Sequence, residues 1–369
     1  MQDRRRVKVI ASLSLRAGRF RFQSHQFEDN PLGSTGSLQT PLCDVLECRY
    51  PILQAGMGGV ARAELVAAVS NVGAFGCLGM VRESPQRITQ QINDVRSLTD
   101  KPFGVNLIPA ATDPELFRVE LDACLRAGVH TMVYFWDVVP DAIKRAKQAG
   151  CRVVYQVGDV DQAIKAEAAG ADVIVAQGVE AGGHVHGTVT SLVLLPQIVD
   201  AVSIPVVGSG GFGSGRSLVA ALAMGAQGIH CGTVLLATHE SFAHDVHKRQ
   251  IVQADSDDTL HTDAFAINWP PHSAVRVIKS QSTAPYERQP FGHNADEMPR
   301  EQVAEEEGRP VYLMSTDSPL KSMTGELEKL AMFGGQVAGQ VTAIDSAATV
   351  IRRIVDEAEA VIDGFARSQ

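Results

Sequence analysis

From residue 51 onward, short apolar runs alternate with longer Ala-rich segments in which apolar residues recur at helical spacing. The runs are continuous, which predicts parallel strands that are buried on both faces. They cover residues 52–54, 75–78, 103–107, 131–135, 152–156, 173–176, 205–208 and 229–231. Eight strands with intervening helices predict an α/β fold, a (β/α)8 TIM barrel, and a doubly wound open sheet is the alternative. The strand count and the glycine or polar residues after nearly every strand favour the barrel.

The ends of the predicted helices are also marked in the sequence. Four Ala-rich segments close on a glycine, which readily adopts the left-handed conformation that ends a helix: Gly73, Gly128, Gly150 and Gly170. A last amphipathic segment follows Asp345, its predicted N-terminal cap. Its apolar stripe consists of Val350, Ile351, Ile354, Val355, Ala358, Val361 and Ile362. We expect this helix to pack on the outside of the barrel.

Composition divides the chain into three parts. Residues 1–40 form a basic extension, since the first 27 residues carry seven Lys or Arg against one acid, a net charge of +6. We interpret it as flexible, with an organelle transit peptide as the alternative. The barrel is predicted over residues 41–250 and 329–369. Residues 251–328 are acidic and proline-rich, and because long structureless loops are rare in compact domains, we expect an inserted lid or subdomain there.

The net charge and the cysteines indicate which partners and which cellular compartment to expect. The net charge of −9 argues against nucleic acid as a partner, because nucleic-acid binders need a basic face. No apolar run approaches the roughly 18 residues of a membrane-spanning helix, so no membrane partner is expected. The six cysteines are scattered without a C-x-x-C pair, and those inside apolar strands suit a reducing compartment. We therefore predict a cytoplasmic protein. Nothing in the sequence indicates its oligomeric state.

Two adjacent strand ends carry the features of a phosphate site. The seventh strand runs into Gly210 and Gly211, and the eighth ends at Gly232 and Thr233. Glycines let backbone amides approach an anion closely, and TIM barrels commonly bind phosphate after their last two strands. The segment is neither a Walker loop, since the lysine is missing, nor a dinucleotide fingerprint. A glycine-rich turn that serves only tight packing is the alternative.

The loop after the sixth strand carries two histidines, His184 and His186, within VAQGVEAGGHVHG. Because catalytic residues of TIM barrels follow the strand ends, an imidazole here is a candidate general base. Alternation would point the two rings to opposite sides. The H-x-H pair could also bind a metal, but no third ligand is evident, so no metal site is predicted.

Two further strand ends carry groups that suit a flat polar ligand. After the first strand, PILQAGMGG places Gly56 and Gly58 beside Met57. The glycines would let backbone lie against a ring system, and Met57 could pack on it. Asn106 ends the third strand, and its amide can both donate and accept, as a flavin or nucleobase edge requires. A turn-forming role is the alternative at both places.

The chain resembles the nitronate monooxygenase family through motifs that occur in the same order, namely QAGMGG, SNVGAFGCLG, FGVNLIP, QGVEAGGHVHG, GSGGFGSG and GIHCGTVLLATHES. The resemblance runs from about residue 51 to residue 241, with a weaker echo at residues 334–339. E-A-G-G-H is specific to this family and its relatives, whereas GSGG is not.

The resemblance implies an FMN-dependent enzyme that oxidises alkyl nitronates, or nitroalkanes, with O2 to carbonyl compounds and nitrite. His184 matches the family's active-site histidine, which would bind the anionic nitro group or act as a base. A pKa near about 6.5 would suit both roles. The positions implied to contact FMN are Gln54, Ala55, Gly56, Met57, Gly58, Asn106, Gln156, Gln177, Gly182, Gly183, Gly208, Ser209, Gly210, Gly211, Cys231, Gly232, Thr233, Gly335 and Gln336.

The chain departs from the family pattern in three places. Gly56 follows Ala55 where many members have Ala-Pro, Val337 replaces a glycine, and residues 251–328 are unlike the family. FMN-dependent enoyl-ACP reductases, which use NAD(P)H and share the G-G-H loop, are the main alternative. Enzymes of the IMP dehydrogenase type need a cysteine between Cys151 and Cys231, where none stands. A non-catalytic flavin- or phosphate-binding protein is a further alternative.

Overall fold

The computed structural model describes residues 38–271 and 273–367, so the predicted basic extension lies outside the described residues apart from residues 38–40. Along the described chain the strands are β1 (Ile52–Gln54), β2 (Gly76–Gly79), β3 (Phe103–Leu107), β4 (Thr131–Tyr134), β5 (Arg152–Val157), β6 (Val173–Gln177), β7 (Gly183–His184), β8 (Val206–Ser209), β9 (Ile229–Cys231), β10 (Thr259–Thr262), β11 (Val275–Ile278), β12 (Gln302–Glu306), β13 (Arg309–Tyr312) and β14 (Met323–Gly325). The α-helices are α1 (Pro41–Leu46), α2 (Ala63–Val72), α3 (Pro85–Leu98), α4 (Pro114–Arg126), α5 (Pro140–Gln148), α6 (Val160–Ala169), α7 (Ser191–Ala201), α8 (Gly215–Ala223), α9 (Thr233–Leu236), α10 (Asp245–Gln253) and α11 (Ala347–Arg367).

The central sheet has eight parallel strands in the order β1-β9-β8-β6-β5-β4-β3-β2. A parallel bridge between Leu53 of β1 and Phe75, the residue before β2, joins the two outer strands. There the amide of Phe75 donates to the carbonyl of Ile52, and the amide of Gln54 donates to the carbonyl of Phe75, both at 2.9 Å. The sheet is therefore closed, which confirms the predicted TIM barrel over the open-sheet alternative.

The interior of the barrel is apolar at the end where the strands begin. Its cluster consists of Leu53, Phe75, Cys77, Val133, Val154, Val173, Val175 and Val207. Leu42 and Leu46 of α1 join this cluster and are fully buried. Leu42 also lies against Gly228, just before β9. Because α1 covers this end, a ligand must enter from the opposite end, where the strands finish.

The helices end at the predicted glycines. Gly73 and Gly170 cap α2 and α6 with φ of 103° and 106°. Gly128 and Gly150 each stand one residue beyond the cap of α4 and α5, with φ of 68° and 81°. These values lie in the left-handed region that favours glycine.

Helix α11 packs on α8 and α2, outside the barrel, as predicted. The first five residues of its apolar stripe are buried, and the last two, Val361 and Ile362, are half-buried. The prediction that Asp345 caps this helix is wrong by one residue. Ser346 directly precedes the helix, and its hydroxyl accepts the amide of Thr349 at 3.1 Å, whereas Asp345 pairs with Arg353 at 3.1 Å.

Residues 251–328 form β structure of their own. Strand β10 pairs antiparallel with β11, and β11 pairs with β7, placing Val275 opposite His184 and Arg276 opposite Gly183. Strands β12, β13 and β14 form a second antiparallel sheet. The segment therefore hydrogen-bonds directly to the loop that carries His184. The division of the chain at residues 250 and 328 stays a proposal, and its first boundary falls inside α10.

Among the described helices, none combines the length and the apolar character needed to cross a membrane.

Candidate functional site

A cavity of about 1000 Å³ opens at the end of the barrel where the strands finish. Its wall is formed by the loops after the barrel strands, by part of residues 251–328, and by the segment at residues 333–337. This volume lies at the upper end of the range for small-molecule sites, and the C-terminal face is where TIM barrels place their active sites.

Most of the residues singled out in the sequence meet in this cavity. Those in its wall are Ala55, Gly56, Met57, Gly58, Asn106, Gln156, Gln177, Gly182, Gly183, His184, Ser209, Gly210, Gly211, Gly232, Thr233 and Gly335. Their convergence from seven separate segments of the chain makes the cavity the candidate active site. Their individual roles stay predictions.

Four of the residues singled out do not line the cavity: Gln54, Gly208, Cys231 and Gln336. The side chain of Gln54 ties β1 to β2, since it accepts the amide of Cys77 at 3.0 Å and donates to the carbonyl of Cys77 at 2.8 Å. Gly208 and Cys231 both lie against Phe212. Gln336 is exposed, and its backbone amide donates to the carbonyl of Glu180 at 3.1 Å.

The loops after β8 and β9 form a cradle of open backbone amides. Gly210 and Gly211 have φ of 89° and 77°, which other residues rarely adopt. No acceptor within the described chain receives the amides of Gly210, Gly211 or Gly232. Open N–H groups at neighbouring strand ends are the donors that a phosphate group requires.

The segment at residues 334–337 packs against this cradle. The amide of Gly335 donates to the hydroxyl of Thr233 at 3.0 Å. Gly335 also lies so close to Gly182 that a Cβ on Gly182 would come within 2.3 Å of the Gly335 amide nitrogen. Val337, one of the departures from the family pattern, packs against Gly213, where an added Cβ would come within 2.7 Å of it. The larger side chain is therefore accommodated by a glycine on the facing loop.

The part of the cavity wall formed by Gly56, Gly58, Asn106 and Gly183, which we call the floor, has open space at two glycines. A Cβ on Gly56 would come within 2.2 Å of the Cβ of Asn106, so Asn106 in this position requires a residue without a side chain there. A Cβ on Gly58 or Gly183 would meet nothing within 4 Å, so both face open space. The side-chain nitrogen Nδ2 of Asn106 donates to the carbonyl of Val133 at 3.1 Å, which fixes the side chain at the floor.

Gln177 holds the histidine loop in place. Its side-chain nitrogen donates to the carbonyl of His184 at 2.8 Å, and its side-chain oxygen accepts the amide of His186 at 3.2 Å. Both halves of the amide are thus engaged by the loop backbone, which sets the position of the His184 ring.

His184 lies in an aromatic cluster that sequence reasoning missed. Its ring stacks on Trp269, with centroids 3.5 Å apart and an interplanar angle of 24°. Trp136 and Phe333 approach it at 6.2 Å and 5.6 Å. Trp269 belongs to the segment 251–328, which had no interpretable pattern, so no sequence signal could have paired it with His184. The Nε2 atom of His184 is buried and has no hydrogen-bond partner in the described chain.

The expected pKa of His184 requires correction. Burial, together with the positive charge of Arg82, lowers the pKa of His184 from 6.5 to about 3. Desolvation disfavours the charged imidazolium, and a neighbouring cation disfavours it further. The ring is therefore neutral at physiological pH. It can donate a hydrogen bond, but it is a weak base and carries no positive charge.

His186 turns away from the cavity. Its Nε2 lies 2.9 Å from a carboxylate oxygen of Asp137, and its ring meets Trp136 at 4.9 Å. The two histidines thus occupy different environments, as alternation predicts. No three His, Cys, Asp or Glu side chains in residues 38–271 and 273–367 are grouped as a metal site requires.

Arg276 of β11 fastens the histidine loop from the side of the insertion. Its guanidinium donates to the carbonyl of Val179 at 2.9 and 3.3 Å and to the hydroxyl of Thr259 at 3.2 Å. The side chain is buried, so these hydrogen bonds are shielded from water. Arg276 therefore positions the loop that carries His184 without itself lining the cavity.

We expect Arg276→Met to lower the free energy of unfolding by about 1.5–3 kcal/mol, because it leaves the carbonyl of Val179 without its charged donor. The measurement is urea denaturation followed by circular dichroism. Arg216→Met is the matched control, since Arg216 is largely exposed and pairs with Glu357 at 3.2 Å. Exposed pairs contribute about 0–1 kcal/mol. Equal losses in the two variants would contradict the anchoring role.

The cavity also contains polar groups that the sequence gave no reason to select. His230 of β9 lies beside the cradle, its Nδ1 3.1 Å from the hydroxyl of Ser209, and burial lowers its pKa to about 4. Charged side chains line another part of the wall: Arg82, Glu83, Asp113, Glu306, Arg309 and Asp317. Most of them come from loops whose local pattern carries no chemical signature.

The residues present fit a flavin. Open amides and left-handed glycines offer a phosphate site, Gly58 and Gly183 leave open space for a ring system, and His184 lies in the wall of the same cavity.

Comparison with known proteins agrees with this architecture. A model of the nitronate monooxygenase family matches residues 39–357. The chain is 35% identical to the probable nitronate monooxygenase of Bacillus subtilis over 256 residues, 58% of this chain and 74% of the relative. It is also 40% identical to the (3aS,4S,5R,7aS)-5-hydroxy-7a-methyl-1-oxo-octahydro-1H-indene-4-carboxyl-CoA dehydrogenase of Mycobacterium tuberculosis over 243 residues, 65% of this chain and 67% of the relative.

Solved structures show the same likeness over more of the chain. FabK from Thermotoga maritima superposes with a TM-score of 0.76 at 28% identity, covering 90% of this chain and 99% of FabK. The nitroalkane oxidase from Streptomyces ansochromogenes superposes with a TM-score of 0.72 at 26% identity, covering 88% of this chain and all of the oxidase.

Proposed function

Because the chain belongs to the nitronate monooxygenase family and is a flavin-dependent oxidoreductase, we propose that it binds FMN and oxidises alkyl nitronates with O2 to carbonyl compounds and nitrite. The observation that carries this proposal is a neutral, unpartnered imidazole in the wall of the cavity that also contains the glycine cradle. Flavin chemistry needs orientation and charge from the protein more than acid–base catalysis.

FMN is the flavin that suits the cradle, because the open amides of Gly210, Gly211 and Gly232 lie on adjacent strand ends, as a single terminal phosphate requires. Gly58 and Gly183 would lie against the ring system, and Thr233 with Gly335 would hold the phosphate loop closed. When bound, FMN would serve as the one-electron acceptor for the nitronate, and the oxidised nitronate would then react with O2.

The residues of this chain favour the nitronate over the neutral nitroalkane as substrate. A general base works best with a pKa near the working pH, and the pKa of His184 is about 3. A neutral imidazole can still donate a hydrogen bond to a nitro oxygen, which suits a substrate that has already lost its proton. Trp136, Trp269 and Phe333 surround the ring and exclude water from this contact.

A second candidate is an FMN-dependent oxidoreductase of acyl thioesters that exchanges electrons with NAD(P)H. Its support is the cavity volume of about 1000 Å³, which exceeds what a flavin and a small nitronate need, and the part of the wall built by residues 251–328. The M. tuberculosis relative acts, by its name, on a carboxyl-CoA compound.

We also propose a cytoplasmic location. All six cysteines lie in the described chain and are free thiols. Free buried thiols are typical of proteins from reducing compartments.

The test is anaerobic mixing of the purified flavoprotein with an alkyl nitronate and, separately, with NADH, while the flavin absorbance is followed. Reduction by the nitronate alone supports the proposed function. Rapid bleaching by NADH without reaction with nitronate favours the thioester oxidoreductase. Mass spectrometry of the flavin released on denaturation tests FMN directly, and FAD would contradict the cofactor assignment.

A further inference from the structure

Most of the charges in the cavity wall are already neutralised. Arg309 donates to Glu306 at 2.8 Å and to Asp317 at 2.9 Å. Asp113 caps α4, since it accepts the amides of the helix's second and third residues at 3.0 and 3.1 Å. Glu83 is half-buried, and its pKa is raised by burial, which reduces its negative charge. The carboxylates of Glu306, Asp317 and Asp113 therefore already have donors within the protein.

Arg82 is the exception. No carboxylate of the described chain lies within 4 Å of its guanidinium, which donates to the carbonyl of Ala111 at 2.8 Å and to the carbonyl of Asn268. A guanidinium has five N–H donors, so several stay available. Arg82 and Arg309 are the two cationic side chains in the described cavity wall, and Arg82 is the one that forms no ion pair within 4 Å. The carboxylates of Asp317 and Glu120 act on it only from farther away.

Arg82 and the active-site ring of His184 both contact Trp269. The guanidinium carbon of Arg82 lies 4.9 Å from the ring centroid of Trp269, and Trp269 also stacks on the imidazole of His184. The indole thus holds the cation at a fixed place in the wall that also contains His184.

Backbone strain is concentrated at this point. Arg82, Trp136 and Asn268 have φ of 61°, 77° and 70°, a conformation that non-glycine residues rarely adopt. Each such residue persists because its surroundings impose it, and such residues cluster at functional sites. Three of them, from three separate loops, meet around Trp269: Asn268 precedes it, Arg82 stacks on it, and Trp136 contacts it at 5.9 Å.

An anionic substrate that leaves water for this cavity needs a positive partner, because an unpaired buried charge is costly. Arg82 is exposed, so its guanidinium is accessible to such a substrate from solvent. His184 is neutral and does not provide that charge, as shown above. Arg82 is the available cation in the same cavity.

We propose that Arg82 binds the anionic, two-oxygen end of the substrate, a nitronate or a carboxylate, while His184 contributes only a hydrogen bond. This inference deepens the proposed function and rests on it for the identity of the nitronate. Arg82 thereby selects planar oxyanions over their neutral isosteres. A planar guanidinium matches such a group with two parallel N–H donors.

The test is a binding experiment that needs no turnover. Propionate, a planar oxyanion, and propionamide, its neutral isostere, are titrated into the oxidised holoenzyme. Binding is followed by flavin absorbance and by tryptophan fluorescence, since the chain has two tryptophans and both lie in this cluster. The wild type should bind propionate about tenfold or more tighter than propionamide. Equal affinities would overturn the proposal even if no variant folded.

Arg82→Gln should weaken propionate binding roughly ten- to hundredfold and change propionamide binding less than about threefold. Arg82→Lys, which keeps the charge but not the paired donors, should fall between. If Arg82 only clamps the carbonyls of Ala111 and Asn268, both ligands weaken equally in Arg82→Gln, and that result refutes the proposal. Failure of nitronate oxidation with intact, Arg82-dependent propionate binding would overturn the proposed function and keep the anion site.

Discussion

Replacing His184 with asparagine is expected to lower turnover of alkyl nitronates about tenfold, because a shorter amide replaces the imidazole as hydrogen-bond donor to a nitro oxygen, and one such bond is worth about 0.5–1.5 kcal/mol. Flavin content should stay unchanged, since the contacts of the cradle come from other loops. Nitroalkane turnover should fall by no more than this, because with a pKa of about 3 the wild-type imidazole is too weak a base to deprotonate the neutral substrate. The measurement is steady-state kinetics with both substrate forms, with the flavin-to-protein ratio determined for each preparation.

His186→Asn is the matched control, because it removes the neighbouring imidazole, which pairs with Asp137 outside the cavity. We expect its turnover to change by less than about threefold, the scale of a group outside the reacting centre. An equal loss of turnover in the two variants would contradict the assignment of His184 as the active-site histidine.

The pH dependence of kcat/KM tests the protonation state of His184 independently of these substitutions. With its pKa lowered to about 3 by burial and by Arg82, His184 is fully deprotonated above about pH 5, so kcat/KM should show no inflection from this ring between pH 5 and 8. An inflection near the ordinary histidine pKa that disappears in His184→Asn would show that the imidazole titrates normally in the holoenzyme.

The barrel could be predicted from the sequence because its signal is local. Continuous apolar runs predict buried parallel strands, and glycines such as Gly73 and Gly170 end helices in a conformation that few other residues adopt. The cradle could be predicted for a related reason. In a TIM barrel all strand ends lie on one face, so residues after the seventh and eighth strands are neighbours once the fold is known.

The chemistry of the histidine could not be predicted in the same way. The pKa of His184 depends on Trp269, 85 positions further along the chain, and on Arg82, 102 positions before it. Neither side chain belongs to a motif, and their meeting is determined by tertiary packing alone. The family resemblance points to His184, which is the histidine that lines the cavity. It also implies the ordinary pKa of an exposed histidine, whereas burial lowers the pKa of this ring.

The departures from the family pattern became interpretable only with the structure. Gly56 lies directly against Asn106, and Val337 packs into space left by Gly213. Each departure is paired with a residue on a different loop. A single sequence read along one segment at a time does not reveal such pairs, because their members are far apart in the chain.

Gly232→Ala is expected to weaken FMN binding about ten- to hundredfold while the apoprotein keeps its stability. Gly232 has φ of −106°, so alanine is accommodated without strain, and the nearest atom to its Cβ is the Cβ of Ala55 at 3.6 Å, an ordinary contact. The methyl group should therefore fit the empty fold but intrude on a phosphate held by the Gly232 amide. Overpacking of this kind costs about 1–3 kcal/mol, which corresponds to the expected loss of affinity.

The same substitution at Gly210 or Gly211 would be less informative, because their positive φ values would add backbone strain to any steric effect. The measurement is fluorescence titration of apoprotein with FMN, alongside thermal unfolding without flavin. Gly364→Ala in α11 is the control, since its Cβ meets nothing within 4 Å and it lies outside the cavity wall. If Gly232→Ala binds FMN as tightly as this control, the phosphate does not lie at the ends of β8 and β9. A loss of apoprotein stability in Gly232→Ala would instead show that Gly232 serves the packing of the fold rather than phosphate binding.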